Sequence, residues 1–154
     1  ILTNTLTITT FNFSILGLKV KINPFVDLTR ADVNYWLGLL AADGFVSDCG
    51  RVSLSSNDLD ILEKFSAFVG CAAPRVDKRG SGQCEFINIE IARYLTSLGI
   101  TPRKSLTIEM KIPLTIDFVR GYWDGNGSCN EPTLSTGSLA LAEQINKTSD
   151  KSNG

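Results

Sequence analysis

The sequence predicts an α+β protein built from apolar helices and a small antiparallel sheet. Apolar residues recur at helical spacing over residues 30–43, 57–69 and 91–98. Between these helices, residues 45–55 and 74–89 alternate between apolar and polar side chains, as expected of two β-hairpins. The order helix, hairpin, helix, hairpin, helix predicts one four-stranded antiparallel sheet that is covered by helices on a single face.

Local signals place the ends of the helices. Thr29 and Asp32 have the spacing of a capping box, which predicts that the first helix begins there. Gly44 follows the last helical residue, and a glycine at this position commonly adopts the left-handed conformation that ends helices. Gly99 is expected to end the helix over residues 91–98 in the same way.

An internal repeat organises the rest of the chain. Residues 35–44 and 118–127 share one pattern, a mostly apolar helix with a small residue at every fourth position and a final glycine. Residues 52–59 are similar to residues 132–139, so the repeat continues beyond the helix, and then the second copy stops short. The alignment pairs Gly38 with Gly121, Ala42 with Gly125, Asp43 with Asn126 and Gly44 with Gly127.

The small residues predict close contact between the two repeated helices. Gly38 and Ala42 share one helix face, because residues four apart are neighbours on a helix. The lack of large side chains there lets two backbones approach closely. Helices packed in this way would end together and bring Asp43 close to Asn126. Because the helix dipole disfavours an acid at a C-terminus, Asp43 indicates a functional role as a ligand for a divalent metal.

Composition excludes several classes of protein. The 154 residues include no histidine, so Ser/His and Cys/His catalysis are excluded, and hydrolysis would need a metal and carboxylates. The net charge of −1 counts against nucleic-acid binding, although the distribution of charge matters more than its sum. No membrane span or secretory leader is predicted. The four cysteines are not paired as C-x-x-C, so we expect an intracellular protein with reduced thiols.

Residues 36–44 and 119–127 resemble the LAGLIDADG motif, which marks a family of homing endonucleases and of related RNA maturases and DNA-binding regulators. The resemblance covers roughly residues 30–145 and implies an αββαββα unit with an antiparallel sheet saddle and a pseudo-two-fold repeat. The resemblance implies a monomer with two similar halves. The incomplete second half would be completed by a second chain or by a missing C-terminal segment. The implied units are an N-terminal arm over 1–28, a first LAGLIDADG unit with its linker over 29–112, and an incomplete second unit over 113–154.

The resemblance also implies a catalytic site with Mg²⁺ or another divalent cation. Asp43 and Asn126 take the positions of the metal-binding acids, with Ala42 and Gly125 beside them, and Lys104 resembles a basic residue near the cut phosphates. Asn126 departs from the family pattern, because a neutral amide does not offset the charge of the cation. Asp124 is expected to point away, since two residues along a helix is about 200° of rotation. We therefore expect double-strand cleavage to be impaired or absent, whereas nicking of one strand remains compatible with the sequence.

The family's partner is double-stranded DNA, bound in the major groove by the open face of the sheet. Arginine there would contact guanine and glutamine would contact adenine; the alternative is a solvated sheet face. The residues expected to contact DNA are Arg51, Ser53, Ser55, Arg75, Lys78, Arg79, Gln83, Glu85 and Arg103.

Two further functions remain compatible with the sequence. A DNA-binding regulator would keep the fold without cleavage, which Asn126 and the low isoelectric point favour. An intron RNA maturase would need neither acid. The remaining interpretation is an inactive variant or fragment, in which Asn126 replaces an original Asp. The resemblance also implies an intron-encoded mobile element. Binding to duplex DNA or to intron RNA, with and without Mg²⁺, would separate these functions.

Overall fold

The computed structural model describes residues 22–102 and 107–153. This part of the chain is α+β, as predicted, with five helices and one four-stranded sheet. Of the predicted N-terminal arm, residues 1–21 lie outside the described residues. The elements in chain order are α1 Ala31–Asp43, β1 Gly44–Val46, β2 Arg51–Ser56, α2 Leu59–Val69, β3 Arg75–Val76, β4 Gly82–Ile87, α3 Ile89–Leu98, α4 Ile116–Asn126 and α5 Leu139–Asn153.

All strand pairs of the sheet are antiparallel, in the order β1-β2-β4-β3. Val52 and Leu54 on β2, and Cys84 and Phe86 on β4, are buried in the core that the sheet forms with the helices. The alternate residues of these strands face away from that core, because successive side chains of a strand point to opposite sides. The predicted four-stranded antiparallel sheet, with one face toward the helices, is confirmed.

The last residues before α1 belong to the core of the first unit rather than to a separate arm. Phe25 is fully buried, and its ring lies 5.4 Å from the ring of Phe68 in an edge-on contact. The hydroxyl of Tyr94 on α3 donates a hydrogen bond to the carbonyl oxygen of Phe25 at 3.1 Å. Residue 25 is therefore held by α2 and α3.

The predicted capping box at the start of α1 is wrong. The helix begins at Ala31, so the N-cap is Arg30, and its side chain makes no capping hydrogen bond. Thr29 lies one residue too early, and its hydroxyl donates to the carboxylate of Asp27 at 2.6 Å. Asp32 instead forms an ion pair with the guanidinium of Arg30. A local turn before the helix has taken the hydroxyl that the capping box would use.

The glycines that end the repeated helices do not adopt the predicted left-handed conformation. Gly44 has φ −77° and ψ 159°, and Gly127 has φ −79° and ψ 159°, so both are extended. The chain continues directly from α1 into β1, which requires extended backbone. Glycine is needed for space, because a Cβ on Gly44 would lie 2.5 Å from the carbonyl oxygen of Leu40. Gly99, with φ +113°, is left-handed as predicted.

Helices α1 and α4 are in direct backbone contact. A Cβ built on Gly38 would lie 2.0 Å from the carbonyl oxygen of Phe118, and one on Gly121 would lie 1.9 Å from that of Tyr35. Tyr35 and Phe118 are themselves equivalent positions of the repeat. The contact is therefore reciprocal, as at a two-fold interface, where residue i meets j and j meets i. The close approach predicted from the small residues is confirmed.

The second unit folds onto this pair through α5. The side-chain amide of Gln144 pairs with the backbone of Met110, donating to its oxygen at 2.8 Å and accepting from its nitrogen at 3.0 Å. Leu141 and Ile145 are buried against the common core. The helix continues to Asn153, so the polar tail predicted from residue 147 onward is helical instead. Its polar residues carry on the hydrogen bonding of a helix that is already formed, which costs little compared with nucleation.

The four cysteines are free thiols with very different surroundings, which predicts a reactivity order. Burial raises the pKa of Cys84 to about 12, whereas a hydrogen bond with the Ser47 hydroxyl lowers the pKa of the exposed Cys49. Since the thiolate is the nucleophile, a disulfide reagent at pH 8 should modify Cys49 at least ~10-fold faster than Cys84. Mass spectrometry of quenched samples would measure this order, with Cys49→Ser as the control that removes the fast product. Similar rates at both residues would contradict it.

Within residues 22–102 and 107–153, no helix combines the length and apolar character that crossing a bilayer requires.

Candidate functional site

The first candidate site lies where α1 and α4 end. The carboxylate of Asp43 lies against the opposite helix, since a Cβ on Gly125 would be 3.0 Å from Asp43 Oδ2. The same Cβ would be 2.5 Å from Cβ of Ala42, so this contact also tolerates only glycine. Asn126 follows directly as the last residue of α4. The structure therefore brings Ala42 and Asp43 against Gly125, with Asn126 next to Gly125 along α4, and Asp43 is exposed there.

Asn126 has different surroundings from Asp43. It is partly buried, and its backbone carbonyl oxygen accepts a hydrogen bond from the backbone N–H of Ser135 at 3.5 Å. It borders a cleft of about 480 Å³ on the side of the second unit. Among the residues that the structure describes, the other lining residues are small, apolar or hydroxyl-bearing and include no acid: Ala41, Ala42, Ile108, Tyr122, Ser135, Thr136 and Gly137. The second helix end is thus polar but uncharged.

Of the two helix ends, only the end of α1, with the Asp43 carboxylate, provides an acidic ligand for a hard cation such as Mg²⁺. Mg²⁺ is commonly bound through one or two carboxylates, with water and substrate phosphates completing its coordination. Asp43 provides such a carboxylate, and the last carbonyl groups of each helix, including those of Ala42 and Gly125, lack helical N–H partners. Among the described residues, no group of three or more acidic or cysteine side chains could hold an ion without further ligands. The carboxylate of Asp43 therefore provides only part of a cation's coordination, and further ligands would have to complete it.

Asp124 does not replace Asn126 as an acid at this site. The hydroxyl of Tyr35 donates a hydrogen bond to Asp124 Oδ2 at 2.6 Å. Burial and this bond raise the pKa of Tyr35 above its ordinary value. Asp124 borders a groove that also contains Lys64 and Arg120, beside α2 rather than at the helix ends. The prediction that it points away from the site is confirmed.

Lys104, predicted to be catalytic, and Arg103, predicted to contact DNA, lie outside the described residues.

The second candidate site is the open face of the sheet, where strand register sets the order of the side chains. One row across the strands contains Ser55, Gln83 and Arg75, and the next contains Phe45, Ser53 and Glu85. A third row contains Arg51 and Ile87. The predicted polar residues of β2, β3 and β4 therefore share one face, with strands about 4.8 Å apart and rows about 7 Å apart.

Glu85 links the two arginines of this face. Its carboxylate lies 3.6 Å from Nε of Arg51 and 3.5 Å from a terminal nitrogen of Arg75. Both arginines are mostly exposed, whereas the Glu85 side chain is 22% exposed. Exposed ion pairs of this kind contribute little to stability, about 0–1 kcal/mol, so the arginines can exchange Glu85 for another acceptor.

Ser53 is the one described residue of the predicted DNA-contacting set that the structure buries. It is 4% exposed, although its position in the strand directs it to the open face. Its cross-strand neighbours are Phe45 on one side and Glu85 on the other. Side chains directly opposite on paired strands are only about 5 Å apart, so two larger neighbours cover a small serine. Ser53 therefore lies on the open face as predicted, but its neighbours cover its side chain.

The turn between β3 and β4 adds positive charge next to the sheet. Lys78 and Arg79 are exposed there, while the carboxylate of Asp77 accepts hydrogen bonds from the backbone N–H groups of Arg79 and Ser81. With Arg51 and Arg75, four cationic side chains stand against the two acids Asp77 and Glu85. Within this face and turn, cationic side chains therefore outnumber acidic ones, in a chain whose net charge is −1.

Phe45 and Ile87 are members of the open face that the sequence-based prediction omitted. They are 50% and 47% exposed, among polar neighbours. Alternation along each strand could have found them, because Phe45 precedes the buried Val46 and Ile87 follows the buried Phe86. The prediction had considered only polar side chains as candidates for this face.

Comparison with models of known protein families finds no match to this chain. Comparison with curated proteins likewise finds no match.

Proposed function

We propose that this chain is a divalent-metal-dependent DNA endonuclease of the LAGLIDADG homing type that nicks duplex DNA. The observation that carries the proposal is the reciprocal backbone contact of α1 and α4, which places Asp43 of one helix against Gly125 of the other. The resemblance of both helices to the LAGLIDADG motif supports the same function. The proposal includes that the protein is intracellular, that a mobile intron encodes it, and that its two units are related by a pseudo-two-fold axis.

In the proposed mechanism, the open sheet face and the β3–β4 turn bind the DNA. Arg51, Arg75, Lys78 and Arg79 neutralise phosphates or contact base edges, which positions the duplex across the helix ends. Asp43 then lies at one scissile phosphate. The α1–α4 contact holds this carboxylate in place, because neither helix can shift without separating two touching backbones.

When bound, a divalent cation would supply charge neutralisation and an activated water for in-line displacement at the scissile phosphate. The role of Asp43 is to hold that cation on one strand. Asn126 occupies the equivalent position for the other strand, and its neutral amide gives weaker attraction for a cation. Cleavage of one strand, at the phosphate beside Asp43, is the expected reaction.

The test is cleavage of a supercoiled plasmid carrying a target that the chain has selected from a random duplex library. With Mg²⁺, we expect the native chain to produce nicked circles, and Asn126→Asp to produce linear DNA because the second strand site regains its acid. Chelation of the metal should stop both reactions. If neither protein cuts the plasmid while both retard it in a gel, the endonuclease proposal is wrong.

That negative result would support the second candidate, a DNA-binding regulator that uses the same face without cleavage. The specific observation in its favour is that, among the described residues, the cleft beside Asn126 is lined by no acid that could replace the missing carboxylate.

A further inference from the structure

The open face of the sheet carries two exposed apolar side chains among its polar ones. Phe45 lies on β1 and is 50% exposed, and Ile87 lies at the end of β4 and is 47% exposed. Both lie on the face that we propose binds DNA, so a partner on this face would cover them and remove their apolar surface from water.

The charge around these residues restricts the partner. The face and the adjoining turn carry Arg51, Arg75, Lys78 and Arg79 against two acids, so a polyanion is favoured. Duplex DNA is a polyanion that also presents an apolar group in its major groove, namely the C5-methyl of thymine. Phe45 and Ile87 match that combination, because each is apolar and has cationic residues of the same face nearby.

Strand register places the two side chains at different distances from the helix ends. Phe45 is two residues after Asp43, so their Cα atoms are at most about 7.6 Å apart. Ile87 is two strands across and two residues along from Phe45, which corresponds to a separation of about 12 Å. With a rise of 3.4 Å per base pair, that separation spans roughly three to four base pairs.

We propose that Phe45 and Ile87 recognise thymine methyl groups at two positions of the DNA target, three to four base pairs apart. This inference rests on the proposed DNA-binding function and assigns part of its sequence specificity. Phe45 contacts the thymine nearer to the phosphate at Asp43 (the inner position), and Ile87 contacts the thymine farther from it (the outer position). Arg51, adjacent to Ile87 across the strands, is placed to contact the neighbouring base pair or its phosphate.

Replacing single thymines of the selected target by uracil tests the proposal, because this removes only the methyl group and leaves base pairing unchanged. We expect two positions at which uracil weakens binding about fourfold, the loss associated with one methyl group. Phe45→Ala should remove the uracil effect at the inner position, and Ile87→Ala at the outer one. Leu139→Ala, which also truncates an exposed apolar residue but lies on α5, should leave both effects intact.

The outcomes separate the two proposals. Tight duplex binding that is insensitive to uracil at every thymine would overturn the methyl recognition and leave the DNA-binding proposal standing. Uracil effects that persist in both alanine variants would also overturn it. Self-association that Phe45→Ala abolishes, without any uracil effect, would assign the apolar residues to a second copy of the chain. Failure to select any duplex would overturn both proposals. Circular dichroism of each variant would verify that these exposed substitutions leave the fold unchanged.

Discussion

Gly121→Val is expected to lower the free energy of unfolding by about 3 kcal/mol or more, or to prevent folding. The valine Cβ would lie 1.9 Å from the carbonyl oxygen of Tyr35 and 3.0 Å from the backbone nitrogen of Leu39. Both contacts are with backbone atoms of α1, so no change of side-chain rotamer relieves them. The helices would have to separate, which exposes the core between them. Urea unfolding followed by circular dichroism measures the loss.

Ala67→Val provides the matched control for this prediction. Residue 67 is exposed on α2, so the same valine should cost only roughly 0.5 kcal/mol through its lower helix propensity. Gly38→Val should resemble Gly121→Val, because its Cβ would lie 2.0 Å from the carbonyl oxygen of Phe118. The double variant should cost less than the two single losses together, since both act on one contact. Equal unfolding midpoints for Gly121→Val and the native chain would refute the close helix contact.

Asp43→Asn is expected to reduce the proposed nicking at least ~100-fold while DNA affinity changes less than about threefold. A 100-fold loss corresponds to about 2.7 kcal/mol of transition-state stabilisation, within what a metal ion contributes to phosphodiester hydrolysis. The substitution keeps the shape of the side chain and removes its charge, so the contact with Gly125 is retained. Single-turnover nicking rates on the selected target, beside gel-shift affinities, measure the two quantities.

Glu63→Gln is the control, because it removes an exposed acid on α2, away from the helix ends. It should leave the nicking rate unchanged. Asp43→Asn combined with Asn126→Asp gives a sharper readout, since it exchanges the acid and the amide between the two helices. That double variant should nick the opposite strand, which sequencing of the nicked ends would detect. Nicking of the same strand at an undiminished rate would exclude Asp43 from catalysis.

The larger elements of the fold were predictable because they depend on patterns within short segments. Helical spacing of apolar residues located α1, α2 and α3, and alternation located the hairpins between them. The spacing of Gly38, Ala42, Gly121 and Gly125 predicted the contact between α1 and α4. That contact could be anticipated because a small residue at every fourth position has one strong physical consequence, close backbone approach.

Several details of the site followed from contacts that no short segment specifies. Ser53 is buried because Phe45 and Glu85 flank it from neighbouring strands, which single-strand alternation does not reveal. Phe45 and Ile87 are exposed among the polar residues of the open face because the register places them there. Thr29 fails as a cap because its hydroxyl bonds to Asp27 and the helix begins a residue later than predicted.

The sequence by itself determined the α+β class, the internal repeat and the alignment of Asp43 with Asn126, since these depend on residue type and spacing along the chain. Only the tertiary structure decided that Asp43 lies against Gly125, that Gly44 and Gly127 are extended, and that no described residue lining the cleft at Asn126 is an acid. Local propensities act over a few residues, whereas these features depend on which surfaces meet when α1, α4 and α5 pack together. The functional site is formed by that packing, so its geometry could not be predicted from either motif alone.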